Sequence, residues 1–244
     1  MQAQVGSQCV ECVRAARPPA AERWRRYTAT SGPIITYTLL AINVAVFIYM
    51  TAKDSSSFGT GTRVTPTQFD LGLNRLLLSG EYYRLVTSGF IHFGLLHLAF
   101  NMYALYVLGT QMETGLGHLK FGLLYFACLL SGSLGVVVLD KNAISGGASG
   151  AIFGLFGAFA VALWRRGINP FRTNVGTVLL LNLALTFLVP GISIGGHVGG
   201  LLGGAICGWA MFPDRVRRPP EWLTYVAPIV VGAVAVFLSV GLAG

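Results

Sequence analysis

Apolar stretches of membrane-crossing length recur along these 244 residues, and they leave the chain few architectures. A hydrocarbon core about 30 Å thick needs roughly 20 helical residues, and every backbone polar group inside it must find its partner within the protein. Long apolar runs of this kind read as helices. Seven occur: about Pro33 to Ala52, His92 to Met112, Leu119 to Leu139, Ser149 to Trp164, Thr173 to Val189, His197 to Phe212 and Thr224 to Leu242. Only 11% of the residues are charged and 54% are hydrophobic, against about 25% charged in a soluble domain, so an ordinary soluble enzyme is excluded. The expected fold is an all-α polytopic membrane bundle. Its 32 glycines, without the period of collagen, suggest helices packed at close range.

The net charge of +8 would suggest nucleic acid in a soluble protein, but its placement reads as topology. Twelve of the seventeen basic residues fall on the N-terminal side of alternate spans, among them Arg14, Arg26, Lys120, Arg165, Arg172 and Arg218. The positive-inside rule therefore places the N-terminus in the cytoplasm and, after seven spans, the C-terminus outside a cell membrane. Residues 1–32 read as a cytoplasmic segment with no cleavable signal, leaving the first span as a signal anchor. Residues 53–91 read as an external, membrane-associated loop with apolar clusters at Phe69 to Leu73 and Leu76 to Leu78. Residues 213–244 read as a cytoplasmic linker and a seventh span. The expected partner is the bilayer, not nucleic acid.

Reactive side chains are costly inside a bilayer, so those within spans point to function. They are His92, His97 and Asn101 in the second span, Ser149 in the fourth, Asn182 in the fifth and His197 in the sixth. His97 and Asn101, four residues apart, share a helix face. His97 lies 16 residues before Glu113, Ser149 16 before Arg165 and His197 17 before Asp214. At 1.5 Å per residue all three sit about 24 Å above the cytoplasmic edge. Spans four and six, about 16 residues each, start below the surface, where irregular backbone must line a polar cavity. Ser149, in Gly147-Ala148-Ser149-Gly150, opens a helix whose free N–H groups could stabilise an oxyanion. His197 opens a helix carrying Gly200, Gly204 and Gly208, and Gly150, Gly154 and Gly157 offer a matching surface. Such an approach could bring the imidazole to the serine as a general base.

Taken together, roughly residues 33 to 212 resemble the rhomboid family of intramembrane serine proteases. His92-Phe-Gly-Leu-Leu-His97-Leu-Ala-Phe-Asn101 is similar to the family's second-span motif, Gly147 to Gly150 to its nucleophile motif, and His197 with Gly200 and Gly204 to its base helix. The resemblance implies a Ser149–His197 dyad, with an oxyanion hole from His97, Asn101 and the Ser149 N–H. It also implies a structural Glu113 in Gly109-x-x-x-Glu113, a six-plus-one span arrangement, transmembrane substrates cut near the outer face, and no cofactor. Tyr83-Arg84 stands where the family often has Trp-Arg. Phe153 stands where it often has a Tyr under the base. His92 reads as holding the external loop, His118 as a residue of a cytoplasmic loop, and Asn182 as a helix-to-helix hydrogen-bonding group. Asp140, near the end of the third span, is the nearest acid. Cys128 and Cys207 read as small apolar residues, whereas Cys9-x-x-Cys12 is half of a zinc site, similar to the end of a zinc module in some bacterial relatives; no bound metal is expected. The competing readings are an inactive rhomboid-like scaffold that binds transmembrane segments, and a small channel or transporter.

Overall fold

The computed structural model describes residues 32–59, 63–140, 143–188, 191–214 and 219–243. Cys9 and Cys12 lie outside the described residues. Among those residues there is no strand, and the α-helices are α1 Ile34–Lys53, α2 Pro66–Leu71, α3 Arg84–Thr87, α4 Leu95–Leu116, α5 His118–Leu139, α6 Ser149–Arg165, α7 Asn174–Leu188, α8 Ile194–Met211 and α9 Leu223–Ala243. The chain is a multi-pass membrane protein built as a helix bundle. Four helices, α1, α5, α8 and α9, are each long and apolar enough to cross a bilayer, and α4 joins them if the segment bent 96° before it is counted with it. α6 and α7 are shorter apolar helices.

Several boundaries differ from the sequence reading, among them the end of α4, which runs on to Leu116 past the expected Met112. α4 begins at Leu95, so His92 lies in the bend before the helix instead of in the second span; Gly94, at φ +94°, makes a turn that L side chains resist. α8 begins at Ile194 because Ser193 caps it, its hydroxyl accepting the Gly196 N–H at 2.9 Å. His197 therefore sits a turn inside an 18-residue helix and does not open it. His118 is the first residue of α5, not a loop residue, and its Nδ1 meets the Glu113 carboxylate.

The bundle core is where the glycines are. α6 and α8 pack backbone to backbone: a Cβ on Gly200 would overlap the Gly150 carbonyl oxygen, and one on Gly204 the Gly154 carbonyl oxygen. On its other side α8 meets α5, where Gly199 faces the Ser131 carbonyl. Around these helices Phe121, Leu124, Tyr125, Leu155 and Cys207 are fully buried. Glu113, near the end of α4, ties in α1 by accepting the Ile35 and Thr36 N–H groups at 2.8 and 2.7 Å. A carboxylate at a helix N-terminus satisfies donors that the helix leaves open and complements its dipole.

The 54–94 connection packs on the bundle. Leu73, Leu78 and Leu85 are buried with Val136 and Val137, whereas Phe69 and Leu76 remain exposed. Arg84, itself buried, organises this connection: Nη1 donates to the Phe69 and Gly72 carbonyls, Nε reaches Glu81, and the Tyr83 ring lies 5.5 Å from the guanidinium.

Candidate active site

Three helix N-termini converge. Ser149 is the first residue of α6, His97 the third of α4 and His197 the fourth of α8. The segment leading into Ser149 is pinned from the 54–94 connection: Leu73 and Ser145 exchange two backbone hydrogen bonds of 2.9 and 2.8 Å, and the Gly147 N–H donates to Ser88 O at 2.8 Å. Gly147, at φ +131°, turns the chain into α6. No side chain caps that helix, so its first-turn N–H groups have neither a partner one turn back nor a side-chain acceptor.

His197 Nε2 lies 2.8 Å from Ser149 Oγ. The imidazole stacks on Phe153 at a centroid distance of 3.9 Å and an interplanar angle of 15°, so phenylalanine supplies the flat support expected at this position. The close approach of α6 and α8 at Gly150 and Gly200 is what allows this contact, since any side chain there would push the helices apart.

His97 joins from α4. The Phe93 N–H donates to its Nδ1 at 3.3 Å; an imidazole nitrogen that accepts carries no proton, so the neutral ring holds its hydrogen on Nε2. That nitrogen faces Gly147, where an added Cβ would stand 2.9 Å from it. Asn101 is buried, and its Nδ2 donates to the His97 carbonyl at 2.9 Å. A side-chain amide has two hydrogens, so one remains for another acceptor. His92 is fully buried in the bend; its carbonyl accepts from Gln68 Nε2 at 3.0 Å and its ring meets His97 edge-on, 5.0 Å between centroids. His92 thus supports His97 and anchors the connection.

The sequence reading named Asp140 as the nearest acid without giving it a partner, and it missed Thr186 altogether. Asp140 accepts the Gly195 N–H at 3.0 Å and the Ser193 hydroxyl, holding the start of α8. Thr186, on α7, places its Oγ1 2.6 Å from His197 Nδ1. Asn182 keeps its side chain on its own helix, donating to Val178 O at 2.8 Å, so the expected helix-to-helix bond is absent among the described residues. Asn182 and Thr186 are four residues apart, and that spacing was the available signal. Among the described residues no group of three or more potential metal ligands occurs.

Residues 79–214 match the family model of the rhomboid domain. The chain belongs to the rhomboid family. It is 38% identical over 175 residues to rhomboid protease GluP of Bacillus subtilis, covering 70% of this chain and 34% of that protein. It is 31% identical over 182 residues to RHOMBOID-like protein 4 of Arabidopsis thaliana, covering 72% of this chain and 45% of the relative. A third relative, Rhomboid-like protease 1 of Toxoplasma gondii, is 32% identical over 165 residues, 64% of this chain and 56% of its own length. The chain thus spans a third to somewhat over half the length of these relatives. The matched rhomboid region contains His97, Asn101, Ser149 and His197.

Proposed function

We propose that this chain is an intramembrane serine endopeptidase acting through Ser149 and His197 on proteins anchored by transmembrane helices. The observation that carries the reading is the 2.8 Å contact between Ser149 Oγ and His197 Nε2 at the open N-terminus of α6. Ser149 Oγ attacks the scissile carbonyl carbon while its proton passes to His197 Nε2. The carbonyl oxygen becomes an oxyanion, met by the His97 Nε2–H, the second amide hydrogen of Asn101 and the N–H groups at the start of α6. His197 then returns the proton to the leaving amine, which departs and leaves a Ser149 ester. A water that gives its proton to His197 hydrolyses that ester.

Arg165 at the end of α6, Arg166 just after it and the sidedness of the remaining charges support a cytoplasmic N-terminus, an external C-terminus and cleavage towards the outer face. In this reading residues 1–32 are cytoplasmic, 33–212 form the six-span catalytic core within a cell membrane, and α9 is an appended span. Substrates are cut where a transmembrane segment unwinds near that face. Conversion of Ser149 to Ala or of His197 to Ala should abolish cleavage of a model transmembrane substrate in detergent, and a fluorophosphonate should label the wild type but not Ser149→Ala. Cleavage retained by purified Ser149→Ala would refute the assignment. A folded wild type that takes no label and cuts nothing would favour a binding scaffold.

A further inference from the structure

The two-residue mechanism leaves one face of the base unused, and that face is occupied. Thr186, 2% exposed, presents Oγ1 at 2.6 Å from His197 Nδ1 and at 2.8 Å from the Asn182 carbonyl. A hydroxyl has one hydrogen to give and two lone pairs. The hydrogen goes to the carbonyl one turn back, the common use of a threonine within a helix. Towards His197 the oxygen can then only accept, so Nδ1 carries the ring proton. In a neutral imidazole that leaves Nε2 bare, and Nε2 is the nitrogen facing Ser149 Oγ.

Resting on the protease reading above, we infer that Thr186 is a positioning residue that fixes the base tautomer and orientation, completing an ordered series Ser149–His197–Thr186–Asn182 carbonyl. It does through a neutral hydroxyl what a buried carboxylate does in serine–histidine–aspartate enzymes. Asp140, the acid nearest in sequence to the site, is committed to Ser193 and Gly195 and holds the helix instead. During attack one proton moves, from Ser149 Oγ to His197 Nε2. Nδ1 keeps its own proton, and its bond to Thr186 strengthens as the ring becomes an imidazolium, since hydrogen bonds to charged groups are the stronger ones. Thr186 therefore favours the transition state over the ground state and acts on kcat more than on KM.

Thr186→Val keeps the side-chain shape and removes the acceptor; Thr186→Ser keeps the acceptor and removes a methyl group. Both are to be purified and compared with wild type for kcat and KM on a model transmembrane substrate and for the rate of fluorophosphonate labelling. The expected result is a fall of about 10- to 100-fold in kcat and labelling for Thr186→Val, the range for one hydrogen bond to a charged group, with KM unchanged and Thr186→Ser close to wild type. Wild-type rates in Thr186→Val would overturn the inference. A packing role would reverse the order, sparing Val and impairing Ser, and would overturn it too. In wild type carrying 15N-labelled histidine, the imidazole signal missing from His197→Ala should show the Nδ1–H tautomer at neutral pH; the Nε2–H tautomer there would refute it without relying on a variant's folding. A wild type that neither labels nor cleaves would instead bring down the protease reading itself, and this inference with it.

Discussion

Adding one methyl group at Gly200 should disable the site from a turn away. A Cβ there would overlap the Gly150 carbonyl oxygen and stand 3.3 Å from the Gly150 Cα. Carbon and oxygen rest at about 3.5 Å, well outside this overlap, so α8 must retreat from α6 by at least about 1 Å at this level. Gly150 adjoins Ser149 and Gly200 is three residues from His197, so the retreat passes to the reacting pair. Their 2.8 Å contact opens to about 3.8 Å or more, beyond the reach needed for proton transfer. A misplacement of about 1 Å costs roughly 100-fold, about 2.7 kcal/mol of transition-state stabilisation. Forcing the pair apart should also cost about 1–3 kcal/mol of stability. The assay is kcat/KM on a transmembrane substrate for Gly200→Ala, with thermal unfolding in the same detergent and fluorophosphonate labelling in parallel. Gly115→Ala is the control: nothing beyond its own stretch of helix lies within 4 Å of its added Cβ, and alanine is the better helix former by up to about 1 kcal/mol. A Gly200→Ala enzyme with wild-type kcat/KM and labelling would refute the argument that backbone contact sets the dyad.

Other expectations test the surrounding groups. His97→Ala should lower kcat by about 10²- to 10³-fold, the loss for one oxyanion donor, in a protein that still unfolds cooperatively; an undiminished kcat would remove His97 from the oxyanion hole. Phe153→Tyr should retain most of the wild-type turnover because a flat ring still supports the imidazole, whereas Phe153→Leu should reduce it, and steady-state kinetics of the pair decides. Asp140→Asn should destabilise the protein by about 0.3–1 kcal/mol through loss of a charge at the α8 N-terminus, visible as a lower thermal midpoint with the active-site label still taken up. Glu113→Ala should cost several times more, because the buried N–H groups of Ile35 and Thr36 and the Thr36 hydroxyl lose their acceptor at once.

The long helices were legible because their cause is local. Hydrocarbon forces each span to satisfy its own backbone, so apolar length alone marks α1, α5 and α9, and the structure starts and ends them within a residue or two of the sequence reading. The start of α8 was misplaced because its cap, Ser193, lies within an irregular stretch next to Gly191 and its effect depends on Asp140 some fifty residues earlier. His92 was placed in a helix because composition does not register the turn at Gly94.

By itself, the sequence determined that the chain is a helical membrane bundle, that Ser149, His97, Asn101 and His197 are the polar groups worth explaining, and that two glycine-lined faces could meet. Helix rotation and approach leave no such local trace, and only the tertiary structure decided what they bring together. It brought Ser149 to 2.8 Å from His197, laid Phe153 flat beneath the ring, and set Thr186 behind it from α7, a span in which the sequence reading had singled out only Asn182 as a polar group. A side chain's chemistry is carried in its own position, but its partner depends on how distant helices settle against each other.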